Sequence, residues 1–85
     1  MPPLILRFVP GNFLRPDGYW KLGFEEGFYT SGHVGFYETF NLAMFMADSY
    51  MYSYPKIPKL ILIVDDDYIE LDSDANRVLA KLKYG

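Results

Sequence analysis

Arg7, Tyr29, Thr30, Ser31, His33 and Glu38 are the residues whose types and spacing can be joined into a reactive site. An arginine on a strand clamps a phosphate through its planar fork, hydroxyls fix a ribose or an amide, and a carboxylate stabilises a cationic transition state. The stretch Glu26-Gly27-Phe28-Tyr29-Thr30-Ser31 concentrates these groups. It reads as a short aromatic strand ending in Thr-Ser, followed after a glycine-containing loop by an apolar helix. Two hydroxyls and one carboxylate around a small pocket are one outcome of that order, and ordinary core is the other. His33, the single histidine, has no second strong metal ligand nearby and reads as a solvent-facing loop residue. Arg7, inside an apolar run, reads as a structural ion-pair partner or a snorkelling edge residue ahead of a phosphate clamp.

These groups must be carried by a small set of elements. Leu4-Ile5-Leu6-Arg7-Phe8-Val9, closed by Pro10-Gly11, is expected to be a first strand. Pro16-Asp17-Gly18 signals a turn, because Pro pre-sets φ and Gly admits a positive φ. Tyr19-Trp20-Lys21-Leu22 then reads as a short strand, with Glu25-Glu26-Gly27 turning into Phe28-Tyr29-Thr30. The longest stretch free of Gly and Pro predicts a helix from about Glu38 to Ser53, apolar on most faces, with Phe40, Met44, Ala47 and Met51 as one stripe. Pro55 and Pro58 end it, and Leu60-Ile61-Leu62-Ile63-Val64 has the continuous apolar character of a central strand covered on both faces. Asp65-Asp66-Asp67 breaks that strand, and Tyr68-Ile69-Glu70-Leu71 alternates as a further extended piece. Ser73 is placed to cap a last helix, with Asp74 in its first turn, Lys81 and Lys83 near its end, and Val78, Leu79 and Leu82 toward the core. The sum is an α+β domain over residues 1–85: a mainly antiparallel sheet of three or four strands, one central helix and a short C-terminal helix.

The order of Leu6-Arg7-Phe8, Phe28-Tyr29-Thr30-Ser31, the helix containing Ala43 and Ala47, and Leu60-Ile61-Leu62-Ile63-Val64 resembles the ADP-ribosyltransferase-like superfamily, in particular its compact group that includes the RES-type NAD-degrading toxins. The likeness spans about residues 4 to 72 and rests on pattern, with few identities. It implies NAD as cofactor or substrate. Arg7 would hold the NAD phosphates, Tyr29 would stack on nicotinamide, Thr30 and Ser31 would orient the ribose, and Glu38 would stabilise oxocarbenium-like charge. Members of that superfamily are usually longer and carry their catalytic carboxylate on further C-terminal strands, so Glu38 stands here as its substitute.

Composition points elsewhere. With no cysteine, the chain has neither a disulfide framework nor a thiolate ligand or nucleophile, which fits a reducing cytoplasm. It is 51% hydrophobic and 19% aromatic, which excludes intrinsic disorder and is rich enough that some rings are expected to face a partner. No run approaches the roughly 18 apolar residues of a membrane span, and no basic amphipathic helix suggests a membrane surface. Six of the eleven carboxylates, Asp65, Asp66, Asp67, Glu70, Asp72 and Asp74, are clustered, which repels a phosphate backbone, and the Lys and Arg residues form no basic stripe. Three adjacent aspartates on extended chain point to alternate sides, so a solvated turn is expected there rather than a metal site. The favoured reading is a non-catalytic protein-binding module, an inhibitor or accessory protein of the kind encoded by phages and other mobile elements. Phe45, Met46 and Tyr50, bordered by Asp65, Asp66 and Asp67, form its expected contact with a protein partner or a second copy.

Overall fold

The computed structural model describes residues 2–24 and 33–85. Along the chain these form β1 (Leu4–Val9), β2 (Tyr19–Gly23), β3 (His33–Tyr37), α1 (Phe40–Ser53), β4 (Leu60–Val64), β5 (Asp67–Glu70) and α2 (Asp74–Tyr84). The strands make one sheet in the order β3-β2-β1-β4-β5. β1 lies at its centre, antiparallel to β2 and parallel to β4, while β2–β3 and β4–β5 are antiparallel. The architecture is therefore α+β, as the alternation of elements predicts, but the sheet is mixed and has five strands rather than three or four. Two causes account for the difference. α1 carries the chain from the β3 edge over the sheet to the far side of β1, which lays β4 parallel to β1. In addition, β3 forms around His33 and Gly35, residues that read as loop, because β2 supplies a paired edge with an irregular register at Leu22 and Gly23. The expected strand at Phe28–Thr30 lies outside the described residues.

Side chains alternate across a strand, and the apolar runs of β1 and β4 use both faces. Leu4, Leu6, Leu60 and Leu62 point toward the helices and are fully buried, together with Leu22 and Leu71. Ile5 and Ile61 belong to the opposite face and are also buried, in keeping with their central strands. The helices meet the sheet on small and aromatic groups. Ala43 and Ala47 let the α1 backbone come close, and Phe40 fills the space beside them. Trp20 is the hub of this layer, with ring centroids 5.0 Å from Phe8, 5.1 Å from Phe40 and 5.8 Å from Tyr84, so one indole touches β1, α1 and α2 from β2.

Local signals set the boundaries. α1 begins two residues later than the sequence pattern suggests, because the Thr39 hydroxyl accepts from the Leu42 amide at 3.2 Å and makes Thr39 the N-cap, leaving Glu38 outside the helix. Beyond it the Tyr54 amide donates to the Tyr50 carbonyl, and buried Ile57 pins the Pro-bounded link to β4. Ser73 caps α2 as expected, accepting from the Asn76 amide at 3.2 Å. In the β1–β2 connection the Gly18 amide donates to the Arg15 carbonyl at 3.0 Å. Gly18 has φ of 76°, and a Cβ there would stand 2.6 Å from both the Phe8 ring and the Val9 carbonyl oxygen.

Gly18→Ala therefore meets conformational strain and a backbone clash together. It is expected to destabilise by more than about 1 kcal/mol, a fall in thermal midpoint of at least roughly 4–8 °C in a domain this small. An unchanged midpoint by circular dichroism would refute the turn geometry.

Candidate functional site

Arg7 and Glu38 are the two anticipated NAD-site residues that fall among the described residues. Arg7 lies on the sheet face turned away from the helices. Cross-strand register puts Phe36, Lys21, Arg7, Ile63 and Tyr68 in one row from β3 to β5. Arg7 and Lys21 are directly opposite one another in the register. Aromatic contacts border the row: Tyr19 meets Phe36 edge-on at 5.1 Å, and the Arg15 guanidinium lies 5.2 Å from the Tyr19 ring centre. On the same face Lys59 donates to Glu70 at 2.7 Å, and this carboxylate holds the Lys59 ammonium above its ordinary pKa.

Glu38 follows the end of β3 and is exposed. It lines an open hollow of about 570 Å³ with Leu14, Arg15, Pro16, Asp17, Gly18 and Thr39, and Arg7 is not part of that wall. Tyr29, Thr30 and Ser31 lie outside the described residues, so the anticipated NAD site can be followed only at Arg7 and Glu38, which do not line this hollow together. His33 opens β3, paired with Gly23, where the sequence pattern placed a loop. Asp65 and Asp66 form the exposed turn between β4 and β5, with Asp65 at φ 52°, and Asp67 starts β5. Among the described residues no group of three or more His, Asp or Glu side chains is placed to hold a metal ion, and no helix is long and apolar enough to cross a membrane.

The helical layer carries the larger surface feature. On α1, Phe45 is exposed, whereas Met46 and Tyr50 are half-buried, and Tyr50 packs toward Phe24 at 6.3 Å and Tyr54 at 4.7 Å. Met44 and Met51 pack against the core. Leu42 and Tyr52 join Phe45 on the outward side of the helix. The exposed apolar residues of α1 are thus aromatic and aliphatic rather than methionines, and they stand among the exposed polar Asn41, Asp48, Ser49 and Ser53.

α2 reverses the sequence expectation. Val78, Leu79 and Leu82 do not face the core: they are 57%, 62% and 80% exposed, while Ala80 is 1% exposed. The inward side carries Asn76, Arg77, Ala80 and Tyr84. Arg77 explains this orientation. Its Nη1 and Nη2 donate to the two carboxylate oxygens of Asp48 on α1 at 3.1 and 2.8 Å, and its Nε donates to the Leu71 carbonyl at 2.9 Å. The Asn76 amide nitrogen donates to the Glu70 carbonyl at 2.8 Å. These bonds satisfy the backbone leaving β5 and take the polar side of the helix inward, with Tyr84 on the Trp20–Phe40 cluster as its apolar anchor. Between α1 and α2 runs an open groove of about 270 Å³, lined by Phe40, Asn41, Met44, Asp48, Arg77 and Lys81. At the C-terminal end of α2, Lys83 lies 3.3 Å from Asp67, which brings the acidic turn beside the helical layer. The Tyr84 side chain first, and Asp67 second, hold the Lys83 ammonium above its ordinary pKa.

If Arg77 sets the face α2 turns inward, Arg77→Met should cost about 1–3 kcal/mol, because it strands the Leu71 carbonyl as well as the Asp48 carboxylate. Asp48→Asn should cost less, since the bond to Leu71 survives. Equal losses in denaturant titrations of the two variants would contradict this division. No family model matches the chain, and no curated protein or solved structure matches it significantly.

Proposed function

We propose that this chain is a small non-catalytic protein-binding module of the cytoplasm, an inhibitor or accessory protein that docks on its target through the outer face of α1. The observation that supports this reading is the exposure of Leu42, Phe45 and Tyr52 on one side of a helix whose other side is committed to the core. Large exposed apolar groups gathered on one face mark contact surfaces, and aromatic rings are the side chains that most often carry binding energy. The acidic turn at Asp65, Asp66 and Asp67 flanks the helical layer through the Lys83 contact and would favour a target with a basic rim. The separation of Arg7 from the hollow that Glu38 lines weighs against the alternative, an ADP-ribosyltransferase-like protein that binds or consumes NAD.

Substitutions separate the two. Under the binding reading, Phe45→Asp and Tyr52→Asp abolish co-precipitation of the target from source-cell extract by at least tenfold, while Arg7→Ala and Glu38→Gln retain it. Amide NMR spectra of the labelled protein at millimolar NAD are expected to stay unchanged. Saturable NAD-induced shifts at Arg7 and Glu38, or target capture that survives both α1 changes, would overturn the proposal.

A further inference from the structure

α2 presents a second surface, distinct from the α1 face, whose pattern specifies its own occupant. At about 100° per residue, Ala75, Val78, Leu79 and Leu82 fall on one side of the helix at the i, i+3, i+4, i+7 spacing of a core-facing stripe. That stripe stands roughly opposite Ala80 and Arg77, which are turned inward, and all four of its residues are exposed. A solvent-facing helix side has no need of such a pattern, so the side chains are arranged for packing against another helix.

Charge on the flank of the stripe selects the partner. Asp74 and Lys81 lie on the same flank, one near each end of the helix. Neither takes part in an ion pair among the described residues, whereas Lys83 is engaged with Asp67. When two copies of a helix pair antiparallel about a two-fold axis, like flanks meet and opposite ends come level. With Val78 and Leu79 at that axis, Asp74 of each copy falls beside Lys81 of the other, and Ala75 falls opposite Leu82. Parallel pairing would instead set this flank against the other flank of the partner helix, which carries Asn76 and Lys83, and would give neither Asp74 nor Lys81 a complementary charge. Antiparallel pairing also sets the positive end of each helix dipole beside the negative end of the other.

We infer that the chain forms an isologous dimer in which α2 packs antiparallel on α2 of a second copy, through Ala75, Val78, Leu79 and Leu82 and two reciprocal Asp74–Lys81 ion pairs. The stripe is one short helix side, small against the roughly 1,200–2,000 Å² of stable interfaces, so the association falls in the micromolar range. α1 remains open in the dimer, which would display two copies of its outer face. The inference rests on α2 alone and does not depend on the reading of α1.

Sedimentation equilibrium over a concentration series tests it, with circular dichroism to verify folding. The expected result is a shift from the 9.9 kDa chain to twice that mass, with the dissociation constant raised at least tenfold by Leu82→Asp and several-fold by Asp74→Lys or Lys81→Asp. All these positions are exposed, so the variants keep the monomer fold. The decisive arm mixes Asp74→Lys protein with Lys81→Asp protein. Each alone carries like charges at both contacts of the pair, and the mixture makes both contacts complementary. A hetero-association tighter than either self-association supports the antiparallel α2 pair. A wild-type chain that stays monomeric at millimolar concentration overturns the inference, as does a dimer insensitive to Leu82→Asp.

Discussion

The guanidinium of Arg77 is tied at three points, to both oxygens of Asp48 and to the carbonyl of Leu71, and the presentation of the helical layer follows from that arrangement. The Leu71 carbonyl lies just past β5, where a ladder no longer supplies partners, and a half-buried carbonyl left without a donor is costly. Arg77 removes that cost while joining α2 to α1. Once Arg77 points inward, the rotation of an eleven-residue helix has no remaining freedom. Ala80 and Tyr84 follow it to the inside, and Val78, Leu79 and Leu82 are carried out. The apolar contribution on the inner side is compressed into Tyr84, whose ring closes on Trp20 and Phe40.

The same economy governs the centre of the molecule. One tryptophan on β2 holds a residue from β1, one from α1 and one from α2, so sheet and helices share a single aromatic contact cluster. Alanines at the α1–sheet contact permit close approach without additional side-chain volume. A small domain that satisfies its core with so few groups leaves much of its hydrophobic half on the outside. Part of the surplus is gathered on the outward sides of α1 and α2, with the acidic β4–β5 turn beside them, while Phe13 and Leu14 are exposed in the β1–β2 connection and Phe36 and Tyr68 on the sheet.

Much of the framework was legible from sequence because it depends on local chemistry. Pro16-Asp17-Gly18 makes its turn, Ser73 caps its helix, and the Leu4–Val9 and Leu60–Val64 runs are strands. What was not legible depends on partners distant in sequence. β3 contains Gly35 and reads as loop until β2 offers it an edge. The parallel pairing of β1 and β4 follows from the route of α1, which no local pattern encodes. Periodicity in α2 correctly identified an apolar side but not its direction. Arg77, at the inward position, was the available signal, since its side chain could satisfy the backbone that precedes its own helix. Of the anticipated site residues, Phe45 and the three aspartates lie on the surface, Met46 and Tyr50 are half-buried, and Glu38 lines a hollow whose wall does not include Arg7.

The orientation of α2 is the claim on which the account turns, and the absence of native cysteine makes it directly measurable. Single cysteines introduced as Leu82→Cys and Ala80→Cys, in protein dilute enough to be monomeric, would be timed against a thiol-reactive dye under native conditions. The residue 82 thiol is expected to react at nearly the rate of an unfolded control and the residue 80 thiol to be slower by at least a hundredfold. A protected thiol at 82 with a reactive one at 80 would show α2 rotated with its apolar stripe inward, and would contradict both the role given to Arg77 and the dimer built on that stripe.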